Sequence, residues 1–307
     1  MDSYIKIRIL TNLEQKNMMK QGLGQVLVVV NQKGGVGKTT TSANLGKNLT
    51  SLGRKVIIVD IDPQCDLTDL IYAAEETPSE LTFKMPGGSI EPGVVNSYML
   101  FQEESTPKTA KLEVGKDKVI EVIPTTSHLA RIDKEDLSAI TIFRDKVREL
   151  AKGVDYVILD CPPGMGNIQT AALAAAHKVI IPTELESLSV KNIEKLMIII
   201  GNLKKHMNPE VEMLGILKTR TKTDKSKTKI MKHYNQELKD DYPGLLFQTE
   251  ITSGTDVSTA TAMGMSLNEY KPKSKQAIQY MDLTKEIDQR VVERLDNQTS
   301  IAEVEVA

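Results

Sequence analysis

The chain has 307 residues and a net charge of −2, with 39 Lys and Arg against 41 Asp and Glu. This balance excludes an overall positive field that would attract nucleic acid, so any contact with DNA must come from a local basic patch. The sequence contains no apolar run of the roughly 18 residues that a membrane span requires. With two cysteines and 26 % charged residues, it has the composition expected of a cytoplasmic protein with no membrane partner.

Residues 1–25 show little regular hydrophobic pattern, which predicts an N-terminal arm outside the folded domain. Five apolar residues, Val26–Val30, then predict a buried strand, and leucines at helical spacing predict a helix over Thr40–Leu52. The loop between them is rich in glycine and consists of Lys33, Gly34, Gly35, Val36, Gly37, Lys38 and Thr39, followed by Thr40. This order predicts a phosphate-binding loop, because backbone N–H groups and a helix N-terminus favour an anion there.

If the loop binds phosphate, two of its side chains and three aspartates elsewhere in the chain have expected roles. Lys38 would reach the β- and γ-phosphates of a nucleotide, and the Thr39 hydroxyl would complete the shell of a Mg²⁺ ion. The strand predicted at 54–60 ends in Asp60, and Asp62 follows, at the edge where open α/β sheets bind ligands. A carboxylate there can orient water for attack on the γ-phosphate or hold Mg²⁺. The buried strand at 155–160 ends in Asp160, which predicts a Walker B aspartate that anchors the Mg²⁺.

The rest of the chain repeats strand and helix, which predicts an α/β fold with a doubly wound, mostly parallel sheet and helices on both faces. The domain is predicted to cover residues 26–295, with an irregular insertion at 75–118 around a short helix at 94–101, and a disordered tail at 296–307. Further strands are predicted at 119–123, 178–182, 211–218 and 245–250. Further helices are predicted at 140–151, 169–176, 189–205, 228–239 and 274–295.

A basic run follows the strand at 211–218. It includes Lys222, Lys225, Lys227, Lys229 and Lys232. Such a run is commonly a solvated helix face. In a chain without net positive charge it is also the natural candidate for the phosphate contacts of non-specific DNA binding. Both interpretations stay open.

Three motifs, in this order, resemble those of the ParA/MinD family of P-loop NTPases. The loop at 33–39 matches the family's deviant Walker A motif K-G-G-x-G-K-[ST], residues 60–64 match D-x-D-P-Q, and residues 160–163 match D-x-P-P. The resemblance covers residues 26–295. It implies that Lys33 reaches across a dimer interface to the nucleotide of the other subunit. It also implies that Asp62 organises hydrolysis with support from Asp60, and that Thr219 and Arg220 contact the base.

The same resemblance implies a function: an ATPase that uses ATP and Mg²⁺, forms a homodimer when ATP is bound, binds DNA non-specifically and hydrolyses ATP slowly. Its partner would be a ParB-like adaptor bound at a centromere-like site. Its role would be plasmid or chromosome partition, and it would be cytoplasmic and associated with the nucleoid. The chain departs from the family where chromosomal members carry DNA-binding arginines. Asp224, Ser253 and Asp256 occupy those positions.

Alternatives with the same fold remain open. A MinD-like or cargo-positioning ATPase would act on a membrane or protein track, and a metabolic ATPase or reductase would act on a small molecule. A binding module would hydrolyse ATP only negligibly.

Overall fold

The computed structural model describes residues 24–72, 96–105, 109–114, 118–222 and 228–305. Within these ranges the strands are β1 (Gln25–Val29), β2 (Val56–Asp60), β3 (Ala110–Glu113), β4 (Val119–Ile123), β5 (Tyr156–Asp160), β6 (Lys178–Thr183) and β7 (Glu212–Lys218). The α-helices are α1 (Lys38–Ser51), α2 (Asp66–Tyr72), α3 (Ser138–Ala151), α4 (Asn167–Ala175), α5 (Ser187–His206), α6 (Lys229–Asp241), α7 (Thr255–Ala262), α8 (Leu267–Tyr270) and α9 (Lys275–Glu305). Two 3₁₀-helices span Ser97–Phe101 and Ser127–Lys134.

The described strands form one sheet in the order β3-β4-β2-β5-β1-β6-β7. Every neighbouring pair is parallel except β3 with β4, which run antiparallel. Because β1 lies inside the sheet, the chain builds strands on both sides of it. The prediction of a doubly wound, mostly parallel sheet is confirmed.

The alternation of side chains in β1 separates two hydrophobic cores, one on each face of the sheet. Val26 and Val28 pack into a core with α3, α4 and α5, whereas Leu27 and Val29 pack into a core with α1 and α9. Strands buried on both faces have near-continuous apolar sequences, as seen here. Helix α1 lies very close to the sheet: a Cβ added at Gly46 would lie 2.2 Å from Ile58 Cδ1. Any side chain at this position would force Ile58 to move.

The strand predicted at 245–250 is wrong as a continuous strand. Backbone hydrogen bonds join Leu245 and Phe247 to Ile216, and the pairing resumes only at Ile251. Between these points the backbone N–H groups of residues 248 and 249 donate to the carboxylate of Glu286 on α9. The side chain replaces the ladder, so only isolated bridges to the edge of β7 remain.

Several other boundaries differ from the prediction. Helix α7 was not predicted; within it the Ser258 and Thr259 hydroxyls bond to the carbonyl of Thr255. Helix α2 and the 3₁₀-helix at 127–134 were not predicted. In the described part of the insertion, the short helix predicted at 94–101 is a 3₁₀-helix at Ser97–Phe101, whereas β3 was not predicted. Helix α9 continues to Glu305 instead of ending before a disordered tail.

Two expectations are only partly within the described structure. Of the predicted N-terminal arm, residues 1–23 lie outside the described residues, as do residues 75–95, 106–108 and 115–117 of the insertion. None of the helices in the described ranges is both long and apolar enough to pass through a bilayer.

Candidate functional site

The glycine-rich loop and the aspartates meet at one edge of the sheet because the strands that carry them are parallel neighbours. The loop follows β1, Asp60 ends β2, and Asp160 ends β5. In register, Asp160 pairs with Val29 of β1 on one side and with Asp60 on the other. Carboxyl ends of parallel strands are where α/β sheets bind their ligands.

The loop is wrapped around the N-terminus of α1. Gly35 and Gly37 have φ angles of 76° and 86°, in the left-handed region that glycine adopts without strain. Lys38 begins the helix, is 6 % exposed, and donates from Nζ to the carbonyl oxygen of Lys33 at 3.2 Å. An anion at this position would meet both a lysine ammonium and the positive end of the helix dipole.

A cleft of about 520 Å³ opens beside the loop. The predicted residues that line it are Gly34, Gly35, Gly37, Lys38, Thr39, Thr40, Asp62 and Arg220. Gln64 and Pro163, the last residues of the two aspartate motifs, also line it. The sequence patterns did not single out its other lining residues, which are Asp66, Asp69, Leu70, Thr261 and Ala262. The last two come from α7, whose existence was not predicted.

Asp62 lines this cleft and is 4 % exposed. Its Oδ1 accepts a hydrogen bond from the backbone N–H of Gln64 at 3.0 Å. Burial raises the pKa of Asp62, while this hydrogen bond and the charge of Lys38 act in the opposite direction. The carboxylate is thus oriented by its own chain and faces the loop lysine.

Asp60 is fully buried and already bonded by its own chain. Its Oδ1 accepts from the backbone N–H of Asp62, and its Oδ2 accepts from the backbone N–H and the hydroxyl of Thr68, at 2.9 and 2.6 Å. Burial and the neighbouring Asp160 raise the pKa of Asp60 to about 8. These contacts fit the supporting role predicted for Asp60 better than direct contact with a metal.

Asp160 differs from Asp60 in having a free oxygen. Ser42 Oγ donates to Oδ1 at 2.8 Å, whereas Oδ2 is buried and has no hydrogen-bond partner among the described residues. Burial raises the pKa of Asp160 to about 7, against the effects of Ser42, Thr39 and Lys38. A buried oxygen acceptor without a donor fits a nearby cation or its water shell.

The residues present therefore fit Mg²⁺, with Asp160 and Thr39 as the groups that would hold it. The described residues contain no cluster of three or more His, Cys, Asp or Glu side chains arranged to hold a metal. Mg²⁺ is usually bound by one or two carboxylates together with substrate phosphates and water. A magnesium ion here would depend on a phosphate ligand in the cleft.

Lys33 does not line its own cleft in the described structure. Its Nζ lies 3.3 Å from Glu184 Oε2 and also bonds to Glu186. Burial alone would lower the pKa of Lys33, but the hydrogen bonds to Glu186 and Glu184 raise it above its usual value. The two glutamates hold the ammonium, and none of these three residues lines the cleft of its own chain.

Thr219 and Arg220 follow β7 and play different parts. The Thr219 hydroxyl is buried, lies 2.9 Å from the carbonyl oxygen of Val36 and 3.1 Å from that of Thr183, and so supports the loop from behind. Arg220 lines the cleft and lies 3.3 Å from Glu184. Its φ of 48° is unusual for a residue other than glycine.

Comparison with known proteins now identifies the family. A family model described as an AAA domain matches residues 24–213. The chain is 29 % identical over 266 residues to the sporulation initiation inhibitor protein Soj of Bacillus subtilis, covering 86 % of this chain and 98 % of that protein. It is 30 % identical over 267 residues to the chromosome-partitioning ATPase Soj of Thermus thermophilus, covering 87 % and 96 %. The chain belongs to the ParA/MinD family of P-loop ATPases.

Solved structures share this fold. An ATP complex of Cyanothece McdA superposes with a TM-score of 0.70 at 23 % identity, over 86 % of this chain and 96 % of that one. The cobyrinic acid a,c-diamide synthase of Mycobacterium smegmatis, with a bound ATP analogue and magnesium, gives a TM-score of 0.65 at 26 % identity, over 86 % and 93 %. The fold of the family is therefore shared by proteins with different names and roles.

The basic run predicted to contact DNA is only partly described. Lys222, Lys229 and Lys232 are exposed, with the last two on the first turn of α6, whereas Lys225 and Lys227 lie outside the described residues, as does Asp224. At the other positions where family members carry arginine, Ser253 donates to the carbonyl of Arg220 and Asp256 pairs with Lys271 at 3.1 Å.

Proposed function

We propose that this protein is an ATP-driven switch that forms a homodimer when ATP is bound, binds DNA non-specifically and hydrolyses ATP slowly during plasmid or chromosome partition. ATP and Mg²⁺ are its cofactors, in keeping with the nucleotide and magnesium bound by its structural relatives. The observation that carries the proposal is the cleft lined by the loop and Asp62. Behind its lining residue Thr39 lies Asp160, a buried carboxylate whose Oδ2 has no hydrogen-bond partner among the described residues.

In this proposal the residues of the cleft divide the work of hydrolysis. The loop N–H groups and Lys38 hold the β- and γ-phosphates, and Thr39 and Asp160 hold Mg²⁺, which when bound neutralises phosphate charge. Asp62 orients a water molecule that attacks the γ-phosphorus. The bond from that phosphorus to the β–γ bridging oxygen breaks, giving ADP and phosphate.

In this proposal, Lys33 takes part in dimerisation when ATP is bound. Its ammonium lies with Glu184 and Glu186, which leaves the phosphate pocket of its own chain to Lys38. We propose that in the dimer Lys33 reaches the nucleotide of the other subunit. This role is taken from the family. The position of Lys33 in the single chain, outside the residues that line its own cleft, is compatible with the role.

DNA contact would come from the basic run. Lys222, Lys229 and Lys232 are exposed, and Lys225 and Lys227 belong to the same stretch. Phosphate contacts by lysine suffice for binding without sequence preference. A ParB-like adaptor on a centromere-like site would stimulate hydrolysis and release the DNA. Because the proposed binding surface is DNA, we expect the protein to be located on the nucleoid.

The test is Asp62→Ala, which removes the carboxylate proposed to orient water. We expect ATP binding to be retained, phosphate release to fall to background, and dimers to accumulate with ATP, as measured by calorimetry, phosphate assay and light scattering. Asp145→Ala is the control, since that carboxylate is exposed on α3. Loss of ATP binding in the Asp62 variant would make Asp62 a structural residue and overturn its proposed role.

A second candidate is a switch of the same chemistry on another track. The similarity to a cobyrinic acid a,c-diamide synthase shows that this fold also occurs in a metabolic enzyme. ATP-dependent dimers that do not bind DNA would favour a membrane or protein track. Turnover that depends on a small molecule would favour a metabolic enzyme.

A further inference from the structure

Ser42 makes an unusual hydrogen bond for a serine inside a helix. It lies on α1, one turn after Lys38, and its side chain is fully buried. Serine hydroxyls in helices commonly bond to the carbonyl four residues earlier. Here the hydroxyl is 3.2 Å from that carbonyl, of Lys38, but only 2.8 Å from Oδ1 of Asp160. The shorter bond links the phosphate-loop helix to the end of β5.

This bond fixes which oxygen of Asp160 stays free. Asp160 is fully buried, so neither oxygen can turn to bulk water. With Oδ1 taken by Ser42, Oδ2 is left without a partner among the described residues. The neighbouring Asp60, in register with Asp160, already has a donor on each of its oxygens.

Thr39 cannot do the same work when nucleotide is bound. Its hydroxyl also lies near enough to Asp160 to lower the pKa of that carboxyl. In a phosphate-binding loop, however, this hydroxyl turns to Mg²⁺. Ser42 is deeper in the helix and is not among the residues that line the described cleft. It can therefore keep its bond to Oδ1 while Thr39 changes partners.

We propose that Ser42 is a positioning residue for magnesium: its hydroxyl holds Oδ1 of Asp160 so that Oδ2 faces the Mg²⁺ shell. The inference rests on the proposed role of Asp160 in that shell and is independent of DNA binding and dimerisation. Groups that orient a metal ligand typically change metal affinity by about 10–100-fold when they are removed. Ser42 should act in this way.

The experiment measures ADP binding to the full chain by calorimetry, first in EDTA and then across a Mg²⁺ series. For Ser42→Ala we expect the affinity in EDTA to stay within about twofold, and the Mg²⁺ concentration that gives half of the gain in affinity to rise about tenfold or more. Ser42→Thr keeps a hydroxyl and should restore the Mg²⁺ response. Ser51→Ala is the matched control, because its hydroxyl bonds only to the helix carbonyl of Lys47 in the described contacts.

Asp160→Asn separates this inference from the assignment on which it rests. If the Asp160 variant loses the Mg²⁺ response and Ser42→Ala keeps it, Ser42 has no positioning role. If both variants keep it, the assignment of Asp160 and the inference fall together. If Ser42→Thr behaves like Ser42→Ala, packing and not the hydroxyl decides, which also contradicts the inference.

Folding of the alanine variant is checked by its melting curve. Should Ser42→Ala fail to fold, Ser42→Cys fills the same space with a much weaker donor. A cysteine variant with the wild-type Mg²⁺ response would overturn the inference, and one with a weakened response would support it.

Discussion

The cleft at the carboxyl edge of the sheet and the basic region after β7 hold their charged groups in different ways. At the cleft, Lys38 and Asp62 are buried, as is the adjacent Asp160, and each is oriented by at least one hydrogen bond from or to its own chain. In the basic region, Lys222, Lys229 and Lys232 are exposed to solvent. The first arrangement suits chemistry, in which single atoms must be placed. The second suits contact with a phosphate backbone, in which charges add up.

This difference predicts that single substitutions are severe in the cleft and graded in the basic region. The largest effect is expected for Lys38→Ala. Because Lys38 is buried next to the phosphate site, nucleotide affinity should fall by roughly a hundredfold or more, as when one partner of a buried charge pair is removed. Calorimetry with ATP and ADP measures it. The control is Lys152→Ala, at an exposed lysine just past the end of α3, which should bind nucleotide as the wild type does. If the Lys38 variant kept its nucleotide affinity, the assignment of the phosphate loop would be wrong.

An intermediate effect is expected for Thr219→Val, which keeps the shape of the side chain and removes the hydroxyl behind the loop. The carbonyl of Val36 then loses its donor, and nucleotide affinity should fall by about tenfold. The same calorimetric assay reports the change. Thr221→Val is matched to it, since Thr221 is also buried and its hydroxyl lies near the carbonyl of Ile251, away from the loop. Equal affinities in the two variants would show that the loop does not need this support.

The smallest effect is expected in the basic region. Lys229→Gln and Lys232→Gln together should leave ATP binding unchanged and weaken DNA binding modestly, with the slope of log affinity against log salt falling by about one unit for each DNA phosphate that is no longer neutralised. Lys239→Gln, near the other end of α6, serves as the comparison variant. An unchanged slope in the double variant would mean that these lysines are only a solvated helix face.

Features that depend on residues close together in the sequence were predictable, and contacts between residues far apart in the sequence were not. The phosphate loop and the two aspartate motifs are local patterns on strand ends, and parallel pairing brings them together. Contacts between distant residues were not predictable in this way. Ser42 and Asp160 are 118 positions apart, and Thr219 and Val36 are 183 apart. No short pattern records such a pair.

The errors in the fold have a similar cause. The segment at 245–250 has the composition of a strand, but the Glu286 carboxylate of α9 captures two of its N–H groups. Helix α7 is rich in hydroxyl residues that favour turns locally, and it is stable because it packs beside the cleft through Ala260 and docks next to α8. In both cases tertiary contacts override the local preference.

The most direct test of the central claim is binding of the wild-type protein to non-specific duplex DNA across a salt series, with ATP, with ADP and without nucleotide. We expect binding that requires ATP and weakens steeply as salt rises. Binding that is equal in all three states would contradict a nucleotide switch. Absence of binding in every state would leave the nucleotide site intact and contradict DNA as the track.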